Sequence, residues 1–409
     1  MQQLDATVTI AAAAVVLLGL ASRRVQMAPV SRPLLALAVG ILAGPQVAGL
    51  LRPDEWPSSE VILREAARFT LAISVFGIAL RTPRESYTRL ARPVAVLLSL
   101  GMLVMWGASF GAALLLGVAP VVALAAGAVV TPTDPVVASA IATGGAAERH
   151  LPEALRSTLS LESGANDGLG YLFVMLPVLI VLHPADAGAR WFWDVLVVGV
   201  LLAVAIGAAT GLVAARLLRL ADRSEWIERH SLLGLSIALS LMVLAMAHLA
   251  GSDGILAAFV AGVAFNMGVD RDEDHEQQNV QETIAKLFNL PVFVLLGAAL
   301  PWREWAELGW PVGGFAVAVL LLRRPLALAV CGPLLGGRLS WRDVGFLGWF
   351  GPVGVAALYY ALLVKERTGD PTVWPAAALV IVLSVVAHGV TSGPGLRAYS
   401  PGRQVSRRR

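Results

Sequence analysis

The stretch Thr131-Pro132-Thr133-Asp134-Pro135 places two prolines and a carboxylate in the middle of an apolar run at residues 118–142. Proline lacks a backbone N–H and disfavours helix at the residue before it, so the run is predicted to form two half-helices joined by an extended segment. Backbone groups freed inside a membrane cannot face lipid and must line a cavity or pack on protein. A charge at the bilayer centre costs about 2.5–3.5 kcal/mol on insertion scales, so Asp134 is predicted to be functional.

Two other stretches each share one of these features, either a helix-breaking proline or a carboxylate within an apolar run. Gly348-Trp349-Phe350-Gly351-Pro352-Val353-Gly354 interrupts the run 343–364, and Glu162-Ser163-Gly164-Ala165-Asn166-Asp167-Gly168 places two acids inside the run 154–182. Interruptions at corresponding places in two halves of a chain indicate a transporter built from inverted repeats, with its site at the membrane midplane. For the second interruption, a simple proline kink stays open as an alternative.

The composition indicates a membrane protein that crosses the bilayer many times. Hydrophobic residues make up 57% of the 409 residues and charged residues only 14%, against about 25% charged in soluble domains. We therefore predict an all-α polytopic membrane protein of about 13 transmembrane helices, with two discontinuous crossing helices. The predicted spans are 6–22, 34–51, 62–80, 93–116, 118–142, 154–182, 193–216, 231–250, 253–267, 281–300, 310–335, 343–364 and 372–391.

The distribution of basic residues predicts the orientation. If the spans alternate, one set of loops holds most of the arginines, and this set is predicted to be cytoplasmic. The N-terminus is then outside, and residues 392–409 form a short basic cytoplasmic tail. Since this rule explains the basic residues, they do not indicate nucleic-acid binding. We expect the protein to lie in a bacterial inner membrane. The basic residues of the opposite loops are only Arg52, Arg190, Arg303, Lys365 and Arg367.

The side chains around the two acidic motifs suit a hard monovalent cation. Such ions bind several oxygen atoms, and carboxylates, hydroxyls, amides and freed carbonyls supply them here, whereas the single cysteine excludes a thiol site. On a helix, Ser163 and Asp167 share one face at i,i+4, with Asn166 beside it. Asp134 is expected to offset the positive ends of the half-helices and to tether Asn166. No cofactor is expected.

The chain resembles the monovalent cation:proton antiporter superfamily, in particular its sodium/proton exchanger branch with an Asn-Asp pair. The resemblance covers about residues 7–392 and depends on motifs in the family's order. Thr133-Asp134-Pro135 resembles the motif of the first unwound helix, and Gly348 to Gly354 is similar to that of the second. Glu162-Ser163 and Asn166-Asp167-Gly168 resemble the motif of the helix between them. A family arginine near Val353 has no counterpart here.

The resemblance implies roles for individual residues. Asp167 would bind the cation and the proton in turn, with Thr133 and Ser163 as further cation ligands. Asp134 and Asn166 would complete or support this site. Glu162 would form a structural ion pair with Arg324, or alternatively with Arg323, and Glu65 is a guess for an additional carboxylate. The family also implies a homodimer in a lipid bilayer, core helices at about 93–182 and 310–391, and scaffold helices at about 6–80 and 193–300.

The predicted function is secondary active exchange of a monovalent cation for protons, not enzymatic catalysis. Burial disfavours a bare carboxylate, so proton and cation compete for Asp167, and this competition couples their fluxes. Because Asn166 cannot titrate, electroneutral one-for-one exchange is expected, with Na⁺ preferred over Li⁺ or K⁺ as the candidate ion. The alternatives are a cation channel and an intramembrane aspartyl protease. His388 and His248, near span ends, could tune the pH response.

Overall fold

A computed structural model describes residues 2–20, 30–142, 144–224, 232–269, 287–335 and 339–399, and all regular secondary structure in these ranges is helical. The predicted all-α fold class is therefore confirmed. The helices are α1 Gln2–Leu20, α2 Arg32–Ala43, α3 Ser59–Arg81, α4 Arg84–Arg89, α5 Ala91–Leu115, α6 Pro120–Val129, α7 Pro135–Ala142, α8 Gly144–His150, α9 Glu153–Leu182, α10 Ala187–Arg223, α11 Leu232–Leu249, α12 Gly254–Gly268, α13 Leu287–Ala298, α14 Trp302–Leu308, α15 Trp310–Leu334, α16 Trp341–Trp349, α17 Val355–Thr368 and α18 Val373–Tyr399.

Each predicted span overlaps at least one of these helices. By length and composition, five helices of the described chain are long and apolar enough to cross a membrane: α5, α9, α10, α15 and α18. Shorter apolar helices lie at most of the other predicted positions. The protein is thus a multi-pass membrane protein, while the number of 13 spans stays a prediction.

Three predicted spans have wrong boundaries. The second span, predicted to reach residue 51, ends at Ala43, because Gly44 and Pro45 follow and a proline cannot continue the hydrogen-bond ladder. The seventh span extends at both ends to form α10. The last span continues to Tyr399, whose hydroxyl donates to the Asp343 carboxylate of α16. Part of the predicted tail is therefore helix, and its residues 400–409 lie outside the described ranges.

Both predicted helix breaks are present, and they touch each other. Residues 130–134 separate α6 from α7, and residues 350–354 separate α16 from α17. The backbone N–H of Asp134 donates to the carbonyl oxygen of Pro352 at 2.7 Å, so the two unwound segments cross in direct contact. Since both breaks occur at proline-containing motifs, they follow from the missing backbone donors.

Helix α9 passes this crossing and carries the acidic motif into the centre of the molecule. It packs against α3, α6, α12 and α17. Gly168 makes the approach of α12 possible, because a Cβ atom at this position would lie only 2.6 Å from the Cα atom of Leu256. The start of α12 is therefore close to Asp167, the neighbour of this glycine.

Candidate functional site: a helix crossing beside a buried carboxylate

Asp134 binds the N-terminal ends of two helices at once. Its Oδ1 atom accepts hydrogen bonds from the backbone N–H groups of Val136 at 2.7 Å and Val137 at 2.8 Å, at the start of α7. Its Oδ2 atom accepts from the backbone N–H of Val355, the first residue of α17. A carboxylate stabilises helix N-termini because it pairs their free donors and opposes their positive dipole ends. Asp134 therefore offsets the half-helix ends, as the sequence led us to expect.

Gly354 is required by this geometry. A Cβ atom on residue 354 would overlap the Asp134 carboxylate and would lie only 2.8 Å from the Cβ atom of Asp134. The last glycine of the Gly348–Gly354 stretch thus allows α17 to begin against the acid.

Arg323 binds the opposite, carbonyl-rich ends of the same two segments. Its guanidinium donates to the carbonyl oxygens of Val130, Thr131 at 2.8 Å and Pro132 at 3.2 Å, and also to that of Gly351. A cation is favoured at helix C-termini, where carbonyl groups lack partners. The crossing is thus held by one negative and one positive side chain, each bridging both broken helices.

The local sequence of α15 explains how this arginine reaches the crossing. A wider, π-helical turn runs from Val319 to Arg323, and Pro325 follows two residues later without an N–H to donate. Such turns displace the following residues around the helix axis and occur often at functional sites. Arg323 and Arg324 consequently point to different partners.

Arg324 contacts Glu162. The sequence had left open whether Arg324 or Arg323 forms this ion pair, and the structure shows that it is Arg324. Its Nη2 atom lies 2.6 Å from Oε2 of Glu162, its Nη1 atom contacts Oε1, and its Nε atom donates to the Leu347 carbonyl at 3.0 Å. Glu162 is 0% exposed and Arg324 is 2% exposed. A buried bidentate pair of this kind leaves neither charge uncompensated.

Asp167 differs from all these groups because its carboxylate has no hydrogen-bond partner. The residue is 0% exposed, and within the described residues neither Oδ1 nor Oδ2 receives a hydrogen bond. Its backbone carbonyl instead accepts from the Tyr360 hydroxyl of α17 at 2.6 Å. Buried polar atoms are nearly always paired, so two free carboxylate oxygens require a functional explanation.

Thr133, Ser163 and Asn166 form the polar surroundings of this carboxylate. Asn166 donates from Nδ2 to Thr133 Oγ1 at 2.7 Å and accepts the Thr133 backbone N–H at 3.1 Å. Thr133 Oγ1 lies 3.4 Å from Ser163 Oγ, one helical turn before Asp167. Our expectation that Asp134 tethers Asn166 is wrong, because the Asp134 oxygens are already bonded to helix N-termini. Thr133 provides this tether.

Glu65 lies elsewhere. On α3 it bonds to Arg68 at 2.5 Å and to Arg64 at 3.3 Å, and its side chain is 31% exposed. Arg64 also pairs with Glu366 at the end of α17. The guess that Glu65 joins the ion site is therefore wrong in this structure.

Sequence reasoning missed Ser384 and Tyr360, and it named His388 only as a residue near a span end that could tune the pH response. Ser384 Oγ accepts the backbone N–H of Val353 at 2.7 Å, and His388 Nε2 lies 2.9 Å from the Trp349 carbonyl oxygen. His388 is buried rather than at a solvated span end. The only sequence signal was the i,i+4 spacing of Ser384 and His388 within an apolar span.

Two cavities approach the site without reaching it. A cavity of about 250 Å³ lies between α5, α9 and α12, where Leu98, Ala165 and Phe259 line it. A second, of about 160 Å³, is lined by Val121, Val178 and others near Asp370. Asp167 lines neither cavity. The carboxylate is thus enclosed in this conformation.

An all-helical multi-pass protein whose discontinuous helices cross beside a buried acid has the architecture of a secondary transporter with inverted repeats. The family model of the sodium/hydrogen exchanger transmembrane region matches residues 10–398. The chain belongs to this family, which consists of transporters and not of enzymes.

Curated relatives agree with this assignment. The chain is 30% identical over 386 residues to a probable Na⁺/H⁺ antiporter of Schizosaccharomyces pombe, with 87% of this chain and 51% of that protein covered. It is 29% identical to the Na⁺/H⁺ antiporter of Saccharomyces cerevisiae, covering 86% and 39%. It is 26% identical to the K⁺/H⁺ antiporter NhaP2 of Shewanella oneidensis, covering 88% and 61%. The chain thus spans about half the length of the S. pombe relative and less than half that of the S. cerevisiae relative.

Solved structures show the same fold. The sodium proton antiporter MjNhaP1 from Methanocaldococcus jannaschii at pH 8 superposes with a TM-score of 0.70 at 18% identity, covering 95% of this chain and 100% of that one. An electron-microscopy map of the same antiporter gives a TM-score of 0.76 at 19% identity, covering 97% and 99%.

Proposed function

We propose that this protein exchanges a monovalent cation for protons across the membrane by alternating access, with Asp167 as the group that binds either ion. The observation that carries the proposal is the pair of unpartnered carboxylate oxygens of a fully buried residue beside the helix crossing. A buried carboxylate needs either a proton or a cation to offset its charge. Because both ions compete for the same two oxygens, inward movement of one is coupled to outward movement of the other.

The neighbouring oxygens make a suitable cation site. Ser163, on the face of α9 that also carries Asp167, places its Oγ atom 3.4 Å from Oγ1 of Thr133 in the first unwound segment. Together with the Asp167 carboxylate they form a set of hard oxygen ligands. Asn166 fixes Thr133 in place, and Asp134 fixes the two half-helices. These oxygens accept sodium, lithium and potassium, and the antiporter relatives named for Na⁺ or K⁺ support this class of substrate.

Charge balance supports electroneutral exchange. Asn166 does not titrate, and Glu162 is paired with Arg324, so one carboxylate carries the transported charge. One proton then exchanges for one cation, and each tenfold proton ratio supplies about 1.36 kcal/mol for cation movement. The Asn-Asp branch of the family, a homodimer, a core of helices 93–182 and 310–391 moving against the scaffold, and a bacterial inner membrane with the N-terminus outside belong to this proposal.

The two alternatives fit the geometry less well. An open channel needs a continuous aqueous path, whereas Asp167 is enclosed and lines neither cavity. An aspartyl protease needs two carboxylates that share a proton and act on one peptide bond. Asp134 cannot serve as the second acid, because its oxygens accept three backbone N–H groups.

The test is proton movement in everted membrane vesicles. Adding Na⁺, Li⁺ or K⁺ in turn across a pH series should dissipate an imposed proton gradient in the wild type. Asp167→Asn should abolish this response while the protein still folds, and Asp186→Asn, which changes an exposed aspartate paired with Arg190, should leave it intact. Proton-coupled flux that persists in Asp167→Asn would remove this residue from the mechanism.

The stoichiometry has its own test. Vesicles clamped at several membrane potentials should reach the same equilibrium cation ratio, because no net charge crosses the membrane. A cation ratio that follows the potential would refute one-for-one exchange.

A further inference from the structure

The second unwound segment depends on α18 for two of its freed backbone groups. Val353 lacks a helical acceptor for its N–H, which bonds to Ser384 Oγ at 2.7 Å. The Trp349 carbonyl oxygen accepts the Gly351 N–H at 3.0 Å and also lies 2.9 Å from His388 Nε2. These two groups stand on opposite sides of Phe350, Gly351 and Pro352. Ser384 and His388 are one helical turn apart on α18, so a single face of this helix contacts both sides of the break.

The contacts between the two side chains suit this arrangement. His388 Nδ1 lies 3.2 Å from Ser384 Oγ and 2.8 Å from the Ser384 carbonyl oxygen in the same helix. The Ser384 hydroxyl accepts the Val353 N–H. The two ring nitrogens of His388 face backbone carbonyl oxygens, Nδ1 that of Ser384 and Nε2 that of Trp349. A carbonyl oxygen can only accept, so a proton on Nε2 is donated to Trp349.

We infer that Ser384 and His388 are positioning residues that clamp the second unwound segment and thereby align the start of α17 with Asp134 at the ion site. Val355, whose N–H bonds to Asp134, is only two residues beyond Val353. Holding Val353 in place therefore also holds the Val355 N–H against Asp134, and with it the spacing between the helix crossing and Thr133. His388 acts here as a buried donor, with no contact to the transported ion.

The expected effect of losing the clamp follows from population arithmetic. A buried N–H left without a partner, as that of Val353 would be without Ser384, corresponds to roughly a five- to hundredfold shift of a two-state equilibrium. If only the aligned crossing binds the cation, the half-saturating concentration rises by the same factor as the aligned fraction falls, which is at most about tenfold at the middle of that range. The Trp349 carbonyl keeps the Gly351 N–H, so loss of His388 should shift the equilibrium less. The deuterium uptake of backbone amides in residues 350–355 should rise as well.

The experiment compares paired substitutions in the full-length protein. His388→Leu removes the donor at similar volume, and His388→Gln retains a side-chain N–H. Ser384→Ala removes the hydroxyl, and Ser384→Thr retains it. Thr391→Val is the matched control, since Thr391 lies on the same helix and accepts only the Trp349 indole N–H at 3.0 Å.

Two measurements are made on each variant: hydrogen–deuterium exchange of the peptide covering 350–355, and the half-saturating Na⁺ concentration in vesicles. We expect increased deuterium uptake for both His388→Leu and Ser384→Ala, with half-saturation weakened by up to about tenfold in Ser384→Ala and by less in His388→Leu. His388→Gln, Ser384→Thr and Thr391→Val should stay near the wild type. The transport measurement rests on the proposed function, whereas the exchange measurement does not, so the absence of all transport in the wild type would refute only the proposed function.

Three results would overturn the clamp. The first is unchanged deuterium uptake in His388→Leu and Ser384→Ala. The second is a folded His388→Gln variant as impaired as His388→Leu, because the donor would then not be what matters. The third is an equal effect of Thr391→Val. If His388→Leu fails to fold, Ser384→Ala and Ser384→Thr decide the same question.

Discussion

Replacing Asp134 with asparagine should destabilise the crossing more than a capping mutation normally does. The carboxylate accepts three backbone N–H groups at the starts of α7 and α17, and it is 1% exposed. The asparagine amide has only one oxygen, so its NH₂ group must face the N–H of at least one helix. An unpaired buried donor costs about 1–3 kcal/mol, and the lost charge at two helix N-termini costs about 0.3–1 kcal/mol each. Asp134→Asn should therefore lower the free energy of unfolding by about 2–5 kcal/mol.

The measurement is chemical unfolding of the purified protein in detergent, followed by helical signal. Asp370→Asn is the matched control, because Asp370 Oδ1 caps α18 through Thr372 at 2.8 Å and Val373 at 3.1 Å from a partly exposed position. Asp370→Asn should cost only about 0.3–1 kcal/mol, the loss of charge at one helix N-terminus, because asparagine caps a helix about as well as aspartate. Equal losses in the two variants would refute the reasoning, because the crossing would then not depend on a buried charge between two helix ends.

Two further predictions concern the other carboxylates. Glu162→Gln leaves Arg324 buried without its counter-charge and should cost about 3–5 kcal/mol in the same unfolding assay, with part regained in Glu162→Gln/Arg324→Met; a fully stable single variant would show that the pair does not need its charges. Glu65→Gln should leave the half-saturating cation concentration in vesicles within about twofold of the wild type, because Glu65 bonds to partly exposed Arg64 and Arg68; a rise of tenfold or more would return Glu65 to the ion site.

The sequence was most informative where a residue's chemistry forbids regular helix. Pro132, Pro135 and Pro352 lack backbone donors, and the motifs that contain them predicted the positions of both breaks. Pro177 and Pro394, by contrast, lie inside α9 and α18, so a proline alone does not break a helix here. Span ends were less predictable: α18 continues to Tyr399 because Leu396 is buried and the tyrosine bonds to Asp343, both contacts with other parts of the protein. A count of apolar residues measures affinity for lipid and does not detect such contacts.

The hydrogen-bond and ion-pair partners of the polar side chains were even harder to predict from the sequence than the span ends. Arg323 and Arg324 are chemically identical neighbours, and only the tertiary structure shows that Arg324 is the one that meets Glu162. Asn166 was expected at Asp134 and is found at Thr133, one residue away. Differences of one residue change the direction of a side chain completely, and sequence spacing within one helix does not specify the orientation of its neighbour.

The sequence by itself determined that this chain is a multi-pass helical membrane protein of the exchanger type, with carboxylates at two interrupted helices, because hydropathy, proline chemistry and the order of motifs are local properties. Only the tertiary structure decided how these pieces use each other. It places Asp134 and Arg323 across both breaks, leaves Asp167 enclosed and unpartnered, and brings Ser384 and His388 to the second unwound segment. Hydrogen bonds and buried charges depend on ångström distances between segments far apart in the chain, and only packing fixes those distances.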